Sequence, residues 1–176
     1  MEKKTEYPYL NNKQNASEIP DMTGSYEDTL TKTITRQVIS ALGRLTLKEA
    51  LALISRAEEK ASAIQVPMVL TVVDEGGNLM AQHRMDDALL ASISISHAKA
   101  YTALALRCAT SEAAKSILPG QSLYGLQETH PGKFCLFGGG IPIFRSGRCI
   151  GGLGVSGGTV EQDTAVAEYA MELMNL

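Results

Sequence analysis

More than half of the chain's 16 glycines fall within residues 137–163, FGGGIPIFRSGRCIGGLGVSGGTVEQD. Glycine sits where the backbone takes a positive φ or where another part of the chain must come close, so this density limits the folds available. Two short apolar runs, residues 141–145 and 148–155, lie among the glycines. Ser146 and Gly147 separate them, which predicts a β-hairpin. Ser156, Gly157 and Gly158 then lead into Thr159, with Gln162 three residues on. That is a capping box, and it opens the last helix. The glycine-lined start of this helix offers N–H groups and partial positive charge to a carboxylate or phosphate. The plainer reading is that the glycines only let a strand turn into a helix. The run is neither a strand–GxGxxG–helix unit nor a Walker A loop, so dinucleotide and nucleoside-triphosphate binding gain no support.

The rest of the chain supplies the partners of that stretch. Residues 1–25 are polar and aperiodic, with Pro8, Pro20 and Gly24, and read as a flexible arm. In residues 26–43, Leu30, Ile34, Val38 and Leu42 recur four apart, a narrow amphipathic helix that Gly43 ends. The domain proper is expected over residues 45–176. Thr46 and Glu49 form a second capping box, opening a helix to about residue 64 with Leu47, Ala50, Leu51, Ile54, Ala57, Ala61 and Ile64 on its apolar face. Residues 68–73 are a continuous apolar strand, residues 74–78 a turn, and residues 79–85 an alternating strand. Residues 87–108 form a long helix that is apolar nearly all round, Ser92 and Lys99 being among its few polar exposures. Such a helix is covered on two sides, and in a small domain the second cover is a neighbouring subunit. Residues 121–132 read as a loop and residues 133–137 as a further short strand. The order α-β-β-α-β-β-β-α predicts an α+β domain with one five-stranded, mainly antiparallel sheet and packed helices.

Charge and cysteines narrow the class. A net charge of -3 argues against a nucleic-acid surface. The three cysteines, Cys108, Cys135 and Cys149, are odd in number and form no CxxC, which points to a reducing, cytoplasmic setting. No run reaches the ~18 apolar residues of a membrane span.

Three segments together carry a resemblance: VVDEGGNLMAQHRMDDA, HAKAYTAL, and the glycine-rich stretch with its GGG-x-P-I and GVSGGT-x-EQD. They resemble the GlcG/HbpS-like family, which includes the C-terminal domain of the PduO-type corrinoid adenosyltransferases. The resemblance covers residues 45–176. It implies a profilin-like α+β fold and homo-oligomers, from dimers to octamers. It also implies haem as a cofactor, with a corrinoid as the alternative, and a link to diol or glycolate pathways and bacterial microcompartments. Adenosyltransferase chemistry is not expected, because in PduO-type enzymes it belongs to a separate helical domain. Residues 26–42 resemble in form the peptides that dock cargo to a microcompartment shell protein; packing at home is the plainer reading.

Within that frame the candidate residues are few. His97 stands in the apolar sector of the long helix between Ile93 and Tyr101. It is either an axial ligand of haem iron or a core histidine bonded to a carbonyl. His130 lies in the loop before Pro131 and is the second iron-ligand candidate. Cys135 follows that loop and is the candidate thiolate ligand. Gly157, Gly158 and Thr159 are candidates to meet a haem propionate. If the protein is instead an enzyme acting on a diol, hydroxy acid or aldehyde, Asp163, Glu161 and Ser156 are the candidate catalytic groups. Glu161 and Asp163 also suit the helix dipole for purely structural reasons. His83 is read as a half-exposed strand residue, and no histidine pair has a zinc-ligand spacing.

Overall fold

The computed structural model describes residues 31–35, 38 and 43–175. The chain divides into two compact units, Met1–Gln37 and Val38–Leu176, and the fold below is that of the second. The arm expected over residues 1–25 lies outside the described residues. Of the helix expected over residues 26–42, residues 31–35 and 38 are described, and they are helical.

The second unit opens with α1, Leu47–Ala63, which starts at Thr46 as its residues require. The Thr46 hydroxyl accepts from Glu49 N–H at 3.3 Å, and Glu49 Oε2 accepts from Thr46 N–H at 2.8 Å. The buried stripe of α1 is Ala50, Leu53, Ile54, Ala57 and Ala61. Leu47, expected on that face, is 54% exposed, and Leu51 is exposed too. Leu53 takes the core position instead, a rotation that one helix's own pattern does not resolve.

Strands β1, Val69–Asp74, and β2, Leu79–Arg84, form the first antiparallel hairpin. Its turn is closed by Asp74, whose Oδ1 accepts from Gly76 N–H and Asn78 N–H, each at 2.9 Å. After the central helix α2, Ser92–Leu106, come α3, Thr110–Ile117, and a 3-10 turn, Leu126–Thr129. Strands β3, Gly140–Arg145, and β4, Arg148–Ser156, form the second hairpin. Ser146 at φ 49° and Gly147 at φ 76° make its turn, and two positive φ values match the twist of the flanking strands. The last helix, α4, Val160–Met171, is opened by the Thr159–Gln162 capping box. A 3-10 turn, Glu172–Asn175, follows it.

Among the described residues the sheet has four strands in the order β2-β1-β4-β3, all antiparallel. Five were expected. Residues 133–137 do not form a strand. Their backbone is satisfied by helix side chains instead: Cys135 N–H donates to Thr102 Oγ1 at 2.9 Å, and Thr110 Oγ1 donates to Phe137 O at 2.7 Å. With those groups taken, nothing drives the segment into a ladder.

The sheet is covered on both faces. Leu70, Val72, Leu153 and Val155 face α1 and α4 and belong to the main apolar core with Leu53, Ile54, Val166 and Ala170. On the opposite face Thr71 pairs with Gly154 and Val73 with Gly152, and α2 lies across them. A Cβ on Gly152 would come 2.2 Å from Ala100 O, and one on Gly154 2.0 Å from Ser96 O. These two glycines therefore serve close approach and open no cavity of their own. They let the α2 backbone settle directly onto the strand. A polar seam joins the layers: Thr71 Oγ1 and Ser96 Oγ are 2.7 Å apart, and Gln82 Nε2 donates to Thr71 Oγ1 and to Ile93 O.

Candidate functional site

A cavity of about 190 Å³ lies where the start of α2, the end of β4 and the start of α4 meet. Its walls are apolar, with Leu89, Ala91, Ile95, Phe137 and Val160. Its floor is polar, with Ser92, Lys99, Ser156 and Asp163, and Gly157 and Gly158 line the side from which α4 begins. Leu89 is 64% exposed and Phe137 61%, so apolar surface rims a polar interior.

The floor is built on an ion pair that the sequence conceals. Lys99 is 1% exposed and Asp163 3%. Lys99 Nζ donates to Asp163 Oδ2 at 2.6 Å and to Val155 O at 2.8 Å. Asp163 Oδ1 accepts from Gly158 N–H at 2.9 Å. Removing two charges from water is costly, and such a pair persists only when further hydrogen bonds satisfy it. Here the strand carbonyl and the Gly158 amide do so. Beside the pair, Ser92 Oγ and Ser156 Oγ lie 3.3 Å apart. Lys99 was expected among the polar exposures of its helix, and this is overturned. The signal was present: Ser92, Ser96, Lys99 and Ala103 recur at helical spacing and form the stripe that α2 buries.

The expected site residues separate into groups. Ser156, Gly157, Gly158 and Asp163 all line the cavity. Thr159 caps α4 and exchanges hydrogen bonds with Gln162, so its polar groups are committed. Glu161 is exposed on the first turn of α4. Its own backbone N–H and the Thr159 hydroxyl hold its carboxyl below the usual range, the structural role that suffices at a helix start. Asp163 and Glu161 therefore do not converge on one reacting atom.

The histidines lie elsewhere. His83 Nδ1 is 2.8 Å from Glu58 Oε1, a strand-to-helix contact. His130 is exposed, with Nδ1 2.9 Å from Thr129 Oγ1 and its ring edge-on to Phe134 at 5.3 Å. His97 is half-buried, and among the described residues nothing hydrogen-bonds its ring. At 100° per residue it stands about 200° around α2 from Lys99, on the flank shared with Ile93, Tyr101 and Leu104. Lys133 Nζ lies 5.3 Å from the Tyr101 ring centroid, placing a cation beside that flank. Cys135 is half-buried and unpaired, as are Cys108 and Cys149. Burial, and then the charge of Glu112, push the Cys108 thiol up, away from thiolate character. Among the described residues no group of three His, Cys, Asp or Glu side chains could hold a metal ion, and no helix is long and apolar enough to cross a membrane. A second hollow of about 390 Å³, lined by Glu49, Phe144, Arg145 and Met174 among others, contains none of the expected site residues.

Comparison with known proteins gives this architecture its context. The chain is 48% identical over 131 residues to the uncharacterized 15.0 kDa protein in the dhaT-dhaS intergenic region of Citrobacter freundii, covering 74% of this chain and 92% of that protein. It is 42% identical over 132 residues to the corrinoid adenosyltransferase PduO of Citrobacter freundii, spanning 39% of that protein's length. Among solved structures, Klebsiella pneumoniae protein ORFY is similar at 44% identity and a TM-score of 0.72, over 74% of this chain and 90% of that one. A protein crystallised as a PduOC:heme complex is similar at 42% identity and a TM-score of 0.72, over 74% of this chain and 94% of that one. The pattern of the family described as haem degrading protein HbpS-like matches residues 45–172, which hold all of α1 through α4 and all four strands. With the glycine-packed sheet and the relatives in agreement, the chain belongs to that HbpS-like family.

Proposed function

We propose that this protein binds haem, as a homo-oligomer, with His97 as the residue that holds the iron. The observation that carries the reading is the similarity to the protein solved as a PduOC:heme complex, at 42% identity over 74% of this chain. The residues present fit such a group. An iron ligand needs an imidazole nitrogen not already engaged, on a surface apolar enough to receive a macrocycle. His83 and His130 bond only through Nδ1, so a free ring nitrogen does not separate the three histidines, but those two are exposed, and His97 alone combines partial burial with apolar neighbours along its helix. Lys133 supplies a cation near that flank for a propionate. Bound haem would bring the iron's ligand-binding and redox chemistry, while the chain holds and orients it. The corrinoid alternative uses the same imidazole.

Oligomerisation belongs to the proposal because the flank bearing His97 is half-buried rather than covered, and Leu90 is 73% exposed. A second copy would bury that apolar surface. We place the protein with microcompartment metabolism, with residues 26–42 as the segment that meets a shell protein; the exposed Ile34 and Val38 support it. The adenosyltransferase activity named for PduO is no part of the proposal, since the match spans 39% of that protein.

The test is a haem titration followed at the Soret band, with the mass in solution measured alongside. His97→Ala should shift the band or weaken binding at least tenfold, whereas His130→Ala and Cys135→Ala should change little. A His97→Ala variant with an unaltered band and affinity removes the ligand assignment. Wild-type protein that gives no saturable Soret change removes the haem reading itself.

A further inference from the structure

The cavity under α4 is far too small for a tetrapyrrole: about 190 Å³ is on the order of six water volumes. The N-terminus of α4 is already in use, since Asp163 Oδ1 takes the Gly158 N–H and Gln162 takes the Thr159 N–H. What the floor still offers is side-chain donors. An ammonium carries three N–H bonds, and Lys99 commits two of them, to Asp163 Oδ2 and Val155 O. Ser156 Oγ donates to Ser92 Oγ at 3.3 Å, and among the described residues the Ser92 hydroxyl proton has no acceptor. Both oxygens of Asp163 already accept. The floor therefore keeps two spare donors, the third Lys99 N–H and one serine hydroxyl, and the two oxygens of a single carboxylate can take both.

Electrostatics sharpen the choice. The Lys99–Asp163 pair sums to zero, but the Gly158 amide and the partial positive charge at the start of α4 offset part of the aspartate. A bound anion thus meets a slightly positive floor. The walls, Leu89, Ile95, Phe137 and Val160, suit an aliphatic tail. We propose that this cavity binds the carboxylate end of a short aliphatic chain, on the order of six non-hydrogen atoms by volume. The carboxylate oxygens take the third Lys99 N–H and the free serine hydroxyl, and the tail points out between Leu89 and Phe137. Such a group comes either from a free short-chain acid or from the propionate arm of a larger ligand. The site stands without the haem reading, because it rests on the cavity and its donors.

The experiment is calorimetric titration of the haem-free protein with isobutyrate, and with isobutanol as the uncharged match. Isobutyrate should bind, and isobutanol at least tenfold more weakly. Ser92→Ala and Ser156→Ala should each weaken isobutyrate several-fold and together about tenfold. Ala91→Phe, at an exposed wall position, should fill the mouth and abolish binding while circular dichroism stays unchanged. Repeating the titration on haem-loaded protein separates the sources. Retained binding identifies a free acid as the ligand, and lost binding identifies a propionate in the cavity; both keep the carboxylate assignment. No binding of isobutyrate to the haem-free protein overturns it, as does equal binding of acid and alcohol, or acid binding indifferent to all three substitutions.

Discussion

Gly154→Ala tests the packing on which both proposed sites depend. Gly154 has a backbone conformation open to any residue, so crowding is the whole effect. The new Cβ would stand 2.0 Å from Ser96 O and 2.6 Å from Ala100 N, where ordinary contact begins at 3.4 Å. The α2 backbone would have to retreat by about 1.4 Å, the difference between 3.4 and 2.0 Å. Backbone cannot step aside as a flexible side chain can, and overpacking of this kind costs roughly 1–3 kcal/mol. The retreat also stretches the Thr71–Ser96 contact at 2.7 Å and the Gln82 bond to Ile93 O at 2.9 Å. Each buried hydrogen bond contributes about 1 kcal/mol. The sum is about 3–5 kcal/mol, a large share of the 5–15 kcal/mol typical of a domain. Urea unfolding should show the midpoint falling by more than about 1 M, given m-values of roughly 1–3 kcal/mol/M. Gly147→Ala is the control. It has no atom within 4 Å of its added Cβ, and only the strain of φ 76° acts, about 1–2 kcal/mol. If Gly154→Ala loses no more stability than Gly147→Ala, the close approach of α2 to β4 is not what these glycines serve.

Two further outcomes follow from the charged groups. Lys99→Met leaves Asp163 buried with its charge uncompensated and should cost about 3–5 kcal/mol in the same unfolding assay. A loss under about 1 kcal/mol would mean that water reaches the pair. The Glu49 carboxyl is pushed up by burial, but the Thr46 N–H and hydroxyl and then Arg145 more than offset this, so it sits below its ordinary value. A depressed carboxyl stabilises the fold fully above the ordinary glutamate value of about 4.3, and loses that contribution as pH falls through its folded value. The gap in urea midpoint between wild type and Glu49→Gln should therefore be wide at pH 6 and narrow at pH 3; a constant gap would contradict the assignment.

The local features were legible because their causes are local. Both capping boxes, Thr46–Glu49 and Thr159–Gln162, and the Ser146–Gly147 turn are contained within a few residues, and each forms as read. The resemblance likewise rested on contiguous motifs. What was misread depends on distant partners. Lys99 looked like a solvated lysine because Asp163 lies 64 positions away. Residues 133–137 looked like a strand because Thr102 and Thr110, which hold their backbone, belong to helices far back in the chain. The glycines of β4 announced that something must come close, but not whether it would be a ligand or the helix α2.

That last ambiguity explains why the two proposed sites lie on different faces of α2. A helix set directly onto a strand has no room for a ligand along that contact, so binding surfaces form on its other faces or where the strand ends. His97 and Lys99 are two positions apart and so emerge about 200° from each other. One flank carries the half-buried imidazole among Ile93, Tyr101 and Leu104. The buried stripe of α2 ends in a small cavity whose floor is a buried ion pair and two serines. Serine substitutions in the floor should leave the environment of His97 untouched, whereas any change that lifts α2 from β4 disturbs both sites at once. The glycines thus act on function at one remove, by fixing the height of the helix from which both sites are built.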